Sequence, residues 1–207
     1  MKRAVIICGG PGRLSEKTEF KDALIICADG GYEKALEAGL VPDYAMGDFD
    51  TYRGSIAKGT EVVRVRPEKD FTDTELCCRK AVEKGAEEVI LAGALGGRAD
   101  HAIANIQLVF DLVRKGIAAR IEDEDNIISF QFPSKKSYPR LEGMYFSLFA
   151  YTESCRGLEV RGTKYEAWGI ELKNGSSLGT SNEIISEQAS VSFEEGCLLA
   201  VYSRDRS

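Results

Sequence analysis

Three short acidic stretches carry the residues best suited to chemistry: ADGG at 28–31, GDFD at 47–50 and KDFTD at 69–73. Each lies at or just beyond the end of a predicted strand. Loop aspartates have an ordinary use, since their side chains cap helices and close Asx turns. Asp29, ahead of GGYEKALEAG, fits an N-cap as well as it fits a functional carboxylate. In GDFD capping explains one of Asp48 and Asp50 but hardly both. In KDFTDTE, Thr72 or Asp73 is placed to cap the following helix, with Glu75 reaching back as a loose capping box, and a carboxylate is left over. Surplus carboxylates along one edge of a sheet repel each other unless a cation sits among them. Magnesium suits such a place, being hard, oxygen-seeking and held by one or two carboxylates together with phosphate oxygens and water. This points to phosphoryl chemistry.

Two glycine-rich turns supply the complementary half. CGGPGR (8–13) follows the first apolar run, and GALGGRADH (93–101) precedes the longest helical segment. Backbone amides at such turns favour anions, and glycine lets a phosphate approach closely. Neither turn is a Walker A motif. Arg98 could hold a phosphate through its planar fork, while Asp100 either caps the helix or orients that arginine. His101 is the single histidine of the chain and has no cysteine or second histidine nearby, which disfavours both a transition-metal site and a serine-hydrolase triad. A phosphate or sugar contact and a structural hydrogen bond explain it equally well.

The elements that must position these residues alternate over the first two-thirds of the chain. RAVIIC (3–8), ALIICAD (23–29), EVVRV (61–65) and EVILAG (88–93) read as buried parallel strands. Residues 72–84 and 99–115 read as amphipathic helices closed by Gly85 and Gly116. Such βαβ units place ligands at the loops after the strand carboxyl ends. Beyond about residue 125 the pattern changes to short alternating runs, IISFQF, YFSLFAY, LEVRG, WGIEL and CLLAVYS, separated by glycine turns. A boundary near Pro133 therefore divides an α/β domain, 1–132, from an all-β domain, 133–207, which is small for independent stability.

Composition narrows the class. Of 207 residues 43% are hydrophobic and 29% charged, as in ordinary globular proteins. A net charge of −6 argues against nucleic-acid or anionic-membrane partners, which call for a basic face. The opening MKRAVIICGG has an apolar run too short for a signal sequence or a membrane span, so a cytoplasmic setting is expected. Six cysteines without CxxC spacing read as small buried apolar residues.

Taken together, ADGGYEKALEAGLVPDYAMGDFDT, PEKDFTDTELCCRKAV, GALGGRADHAIANI, GTKYEA and GTSNEI resemble the thiamine pyrophosphokinase family in order and spacing along nearly the whole chain. The resemblance implies transfer of the β,γ-pyrophosphoryl group of ATP to the thiamine hydroxyl, giving thiamine diphosphate and AMP with Mg2+. It implies a Rossmann-like α/β nucleotide domain with a parallel sheet, a smaller β-sandwich that binds thiamine, and a homodimer with the active site between subunits. By that resemblance Asp48, Asp50 and Asp73 are catalytic and metal-binding, and Thr72 belongs to the same diphosphate site. Asp29, Lys69, Asp70, Arg98, Asp100 and His101 serve the nucleotide. Ser181 and Asn182 border the thiamine pocket, and Tyr165 stands where some members carry a stacking tryptophan, with Trp168 three residues on. Two competing readings are pyrophosphoryl transfer to a hydroxymethylpterin and a nucleotide-binding regulatory module without turnover.

Overall fold

The computed structural model describes residues 2–48, 55–65 and 70–205. Two compact units divide between Glu124 and Asp125. The boundary read from sequence is near Pro133; the run IISFQF ahead of it lies in the second unit, where it pairs with the last strand of the chain.

The first unit follows the order β1 (Arg3–Ile7), β2 (Leu24–Ala28), α1 (Gly31–Glu37), β3 (Tyr44–Gly47), β4 (Glu61–Arg64), α2 (Asp73–Glu83), β5 (Glu88–Ala92), α3 (Ala99–Arg114) and β6 (Ala118–Glu122). Its strands lie side by side as β4-β3-β2-β1-β5-β6, every pair parallel. The burial of β1 and β5 is nearly complete, which accounts for their unbroken Val/Ile runs. Val5, Ile7, Cys27, Tyr32, Ala35, Ala45 and Ile90 belong to one core cluster. Glycines at positive φ, Gly85 and Gly116, end the turns after α2 and α3 as expected. The chain moves outward from β1 to β4, then returns to place β5 on the other side of β1, so the order reverses between β1 and β5. At such a switch point the connecting loops diverge and leave a crevice at the strand carboxyl ends.

The second unit contains β7 (Asn126–Gln131), β8 (Lys135–Pro139), β9 (Tyr145–Ala150), β10 (Ser154–Arg161), β11 (Ala167–Lys173), β12 (Gln188–Ser192) and β13 (Leu198–Ser203). All of its pairings are antiparallel, in the orders β7-β13-β9 and β11-β10-β12-β8. Phe146, Leu148, Ala200 and Tyr202 from the first group share a core with Tyr138, Leu158, Val160, Leu172 and Val191 from the second. The polar tips inside it are satisfied: Tyr138 donates to Gln131 Oε1 at 2.9 Å and Tyr202 to the Pro139 carbonyl at 2.6 Å. All six cysteines are buried and unpaired, in line with the packing role read from sequence.

Candidate active site

The crevice in the first unit is a cavity of about 400 Å³. Three turns line it: Cys8–Pro11 after β1, Ala28–Gly30 after β2, and Ala94 with Gly96–Arg98 after β5. Thr72–Thr74 at the start of α2 and His101 and Asn105 on α3 close it. The turns pack backbone against backbone. A Cβ on Gly10 would lie 2.5 Å from the Gly93 carbonyl oxygen, so only glycine fits there.

Of the residues expected from sequence, Asp29, Thr72, Asp73, Arg98 and His101 line this cavity. Asp29 is not the N-cap of α1: Gly30 occupies that position and makes no side-chain cap. Instead Asp29 has φ +42°, a conformation that costs a non-glycine residue about 1–3 kcal/mol and tends to be kept where function requires it. Its amide donates to the Met46 carbonyl at 2.8 Å, which joins the ends of β2 and β3. Asp48 follows directly on β3 and is half-buried. Thr72 is the N-cap of α2, its hydroxyl accepting from the Glu75 amide at 3.2 Å. That leaves the Asp73 carboxylate in the first turn, where the helix dipole favours negative charge.

Asp100 grips Arg98 and also accepts the His101 amide at 2.9 Å in the first turn of α3, whose N-cap position is held by Arg98. Arg98 donates to Asp100 through Nε at 3.1 Å and Nη2 at 2.5 Å, and the bond from the guanidinium brings the Asp100 carboxyl down to about 2. Both side chains are exposed, so the pair adds little to stability but fixes the direction of the arginine fork. Asp70 is exposed, and neither it nor Asp100 lines the cavity. Asp50 and Lys69 lie outside the described residues. Among the described residues no group of three His, Cys, Asp or Glu is arranged to hold a metal ion. Magnesium does not need such a group, because one or two carboxylates plus phosphate suffice, and the donors at this edge are the oxygen ligands it prefers.

The second unit has its own cavity, about 330 Å³ and mostly apolar. Phe146, Leu158 and Leu172 form its buried floor, and Tyr165 and Trp168, 65% and 59% exposed, stand at its rim. The Asn182 side chain fixes the Tyr165 backbone from both sides, accepting from its amide at 3.0 Å and donating to its carbonyl at 2.8 Å. Ser181 is not part of the lining; it sits at φ +57° and its amide donates to Ser147 Oγ at 3.0 Å. Arg161 lies over the Trp168 ring, 4.6 Å from its centroid, and Lys164 lies 5.7 Å from that of Tyr165. A Cβ on Gly179 would meet the Leu148 carbonyl oxygen at 2.1 Å, which explains the glycine in GTSNE.

Residues 16–121 match the family model for the thiamin pyrophosphokinase catalytic domain, and 128–198 match that for the thiamin pyrophosphokinase vitamin B1 binding domain. The thiamine pyrophosphokinase of Bacillus subtilis is 35% identical over 214 residues, covering 99% of this chain and 100% of the relative. The chain belongs to the thiamin pyrophosphokinase family. The crystal structure of the Bacillus subtilis thiamine pyrophosphokinase superposes with a TM-score of 0.90 at 32% identity, over 99% of this chain and 100% of that one. That of Geobacillus thermodenitrificans gives 0.87 at 29% identity, over 100% and 99%.

For this family member, sequence reasoning missed Asn105, Lys34 and Asp123. Asn105 lies four residues after His101 on one face of α3, a spacing that offered a signal. It is buried and donates to the Ala94 carbonyl at 2.8 Å. Lys34 reads as an ordinary helix lysine and Asp123 as part of the acidic run EDED, so nothing local marks either.

Proposed function

We propose that the two cavities serve one reaction, transfer of the β,γ-pyrophosphoryl group of ATP to the hydroxyl of thiamine. The observation that carries this reading is the convergence of the β1, β2 and β5 turns with Asp29, Asp73, Arg98 and His101 on one polar crevice, in a chain whose other unit holds an aromatic-rimmed apolar cavity within its vitamin B1 binding match.

In this reading the first unit is a Rossmann-like nucleotide domain, and the glycine turns with Arg98 bind and orient the polyphosphate. Lys69, Asp70, Asp100 and His101 contribute to the nucleotide side, Asp100 by directing Arg98. Asp48, Asp50 and Asp73 hold Mg2+, which when bound neutralises charge on the phosphate oxygens. The thiamine hydroxyl attacks the β-phosphorus, the bond from that phosphorus to the α,β-bridging oxygen breaks, AMP leaves, and the hydroxyl proton passes to a carboxylate, Asp73 or Asp50. Alignment and charge stabilisation supply the rate without a covalent enzyme intermediate.

The second unit is a β-sandwich that binds thiamine. Tyr165 or Trp168 stacks on the cationic vitamin, for about 0.5–2 kcal/mol of cation–π attraction. The cation already over each ring leaves the opposite ring face for that contact. Asn182 and Ser181 hold the loop that carries the rim. The protein works as a homodimer with each site formed between subunits, and six unpaired buried cysteines support a reducing, cytoplasmic setting. No described helix is long and apolar enough to cross a membrane.

Incubation with ATP, magnesium and thiamine should yield AMP; ADP or no product contradicts the reading, and turnover of a hydroxymethylpterin instead of thiamine favours the pterin alternative. Mixing equal amounts of Asp73→Asn and Tyr165→Ala chains, assayed at thiamine well below its KM, tests the shared site. Random re-pairing should give about a third of the wild-type activity, because half the dimers then carry one intact site, and about a tenth instead would place each site within one chain.

A further inference from the structure

Behind the polar cavity two charged side chains meet the glycine turns without lining the cavity themselves. Lys34, in the last turn of α1, is half-buried and donates from Nζ to the Gly12 carbonyl at 2.6 Å. A Cβ on Gly93 would lie 2.9 Å from the same Nζ, so the lysine runs tightly under the β5 turn as well. Asp123, just past β6 and 6% exposed, accepts the amides of Ala94 and Leu95, each at 3.0 Å, with its two oxygens. Its backbone also forms a bridge with Leu14. Burial pushes the Asp123 carboxyl up and the Lys34 amine down, and each charge partly offsets the shift of the other.

Charges withdrawn from water are kept only where hydrogen bonds repay the loss, and here those bonds all go to the backbone of turns that line the cavity. The β1 turn is held by Lys34 and the β5 turn by Asp123, while the mutual attraction of the two side chains ties one turn to the other.

We propose that Lys34 and Asp123 are positioning residues for the nucleotide, locking the turns after β1 and β5 into one preformed surface for a polyphosphate. This rests on the ATP reading of the cavity. Thiamine recognition, which belongs to the other unit, is not expected to depend on them.

Variants Asp123→Ala, Lys34→Met and Lys34→Arg, checked for native fold by circular dichroism, are assayed with ATP and thiamine varied separately, and followed by hydrogen exchange without substrate. Asp123→Ala and Lys34→Met should raise the KM for ATP by about tenfold and leave that for thiamine within about twofold. Exchange should quicken at residues 9–12 and 93–97, and Lys34→Arg, which keeps a donor, should recover most of the ATP affinity. An unchanged KM for ATP in a folded variant, or equal rises for both substrates, overturns the proposal. If Asp123→Ala does not fold, Asp123→Asn keeps one acceptor and should show a rise of about threefold under the same criteria. Absence of AMP formation by the unmodified chain would overturn the proposed function instead. The positioning role is then decided by exchange alone: faster exchange at the two turns supports it and unchanged exchange refutes it.

Discussion

In the first unit the cavity wall is made of backbone turns after β1, β2 and β5, with a few charged side chains set among them. In the second unit the wall is made of side chains: Phe146 and Leu148 from β9, Leu158 and Val160 from β10, and Ile170 and Leu172 from β11. The first suits a ligand recognised by charge and close backbone approach; the second suits an aromatic ring that excludes water. The proposed reaction needs both, because a polyphosphate must be neutralised and aligned while the acceptor is held by its ring. The contrast also separates the expected defects, since damage at a turn should act on the nucleotide and damage at the rim on the vitamin.

The largest effect is expected at Asp73. Asp73→Asn removes a carboxylate from the phosphate edge and should lower kcat by about 100-fold or more with little change in melting temperature, as the capping hydroxyl of Thr72 remains. Full activity at low magnesium would remove this residue from the metal set. Arg98→Ala takes away the fork that Asp100 directs and should raise the KM for ATP by about tenfold while leaving that for thiamine unchanged. Parallel changes in both constants would break the division between the cavities. Tyr165→Ala should raise the KM for thiamine by about fivefold with ATP unaffected, within the range of one cation–π contact. If Trp168→Ala does so instead, the stacking role moves three residues along the rim. Smallest in its bearing on the comparison, Thr72→Ala should cost about 1 kcal/mol of stability through the lost cap, read as a shift in the urea midpoint at constant slope.

ADGG, KDFTD and GGRADH were legible as candidate cavity turns because glycine and aspartate cluster there beyond strand ends, whereas Asp48 of GDFD is not among the lining residues. Position in the cavity was less so: for Asp29 a cap and a functional carboxylate read equally well, and in the fold Gly30 takes the cap position while Asp29 bends through positive φ into the cavity lining. The strand ahead of GDFD, β3, was not delimited among the strand runs because YAMG is too short and mixed to show a period. In the second unit the aliphatic strands stood out, but β8 and β12, KKSYP and QASVS, did not. Each buries only alternate small or single large residues, Tyr138 in one and Ala189 with Val191 in the other, a signal too weak to read against their polar neighbours. The apolar cavity was hidden for a related reason. Its floor residues look like core from sequence, and only the three-dimensional gap between their strands makes them a wall. Lys34 and Asp123 were illegible because their partners are backbone atoms far away along the chain.

The position of the bond that breaks in ATP tests the reaction itself. With ATP labelled separately at the α, β and γ phosphorus, the account predicts β and γ label together in thiamine diphosphate and α label in AMP alone. Transfer of γ label by itself, with β label retained in ADP, would contradict it.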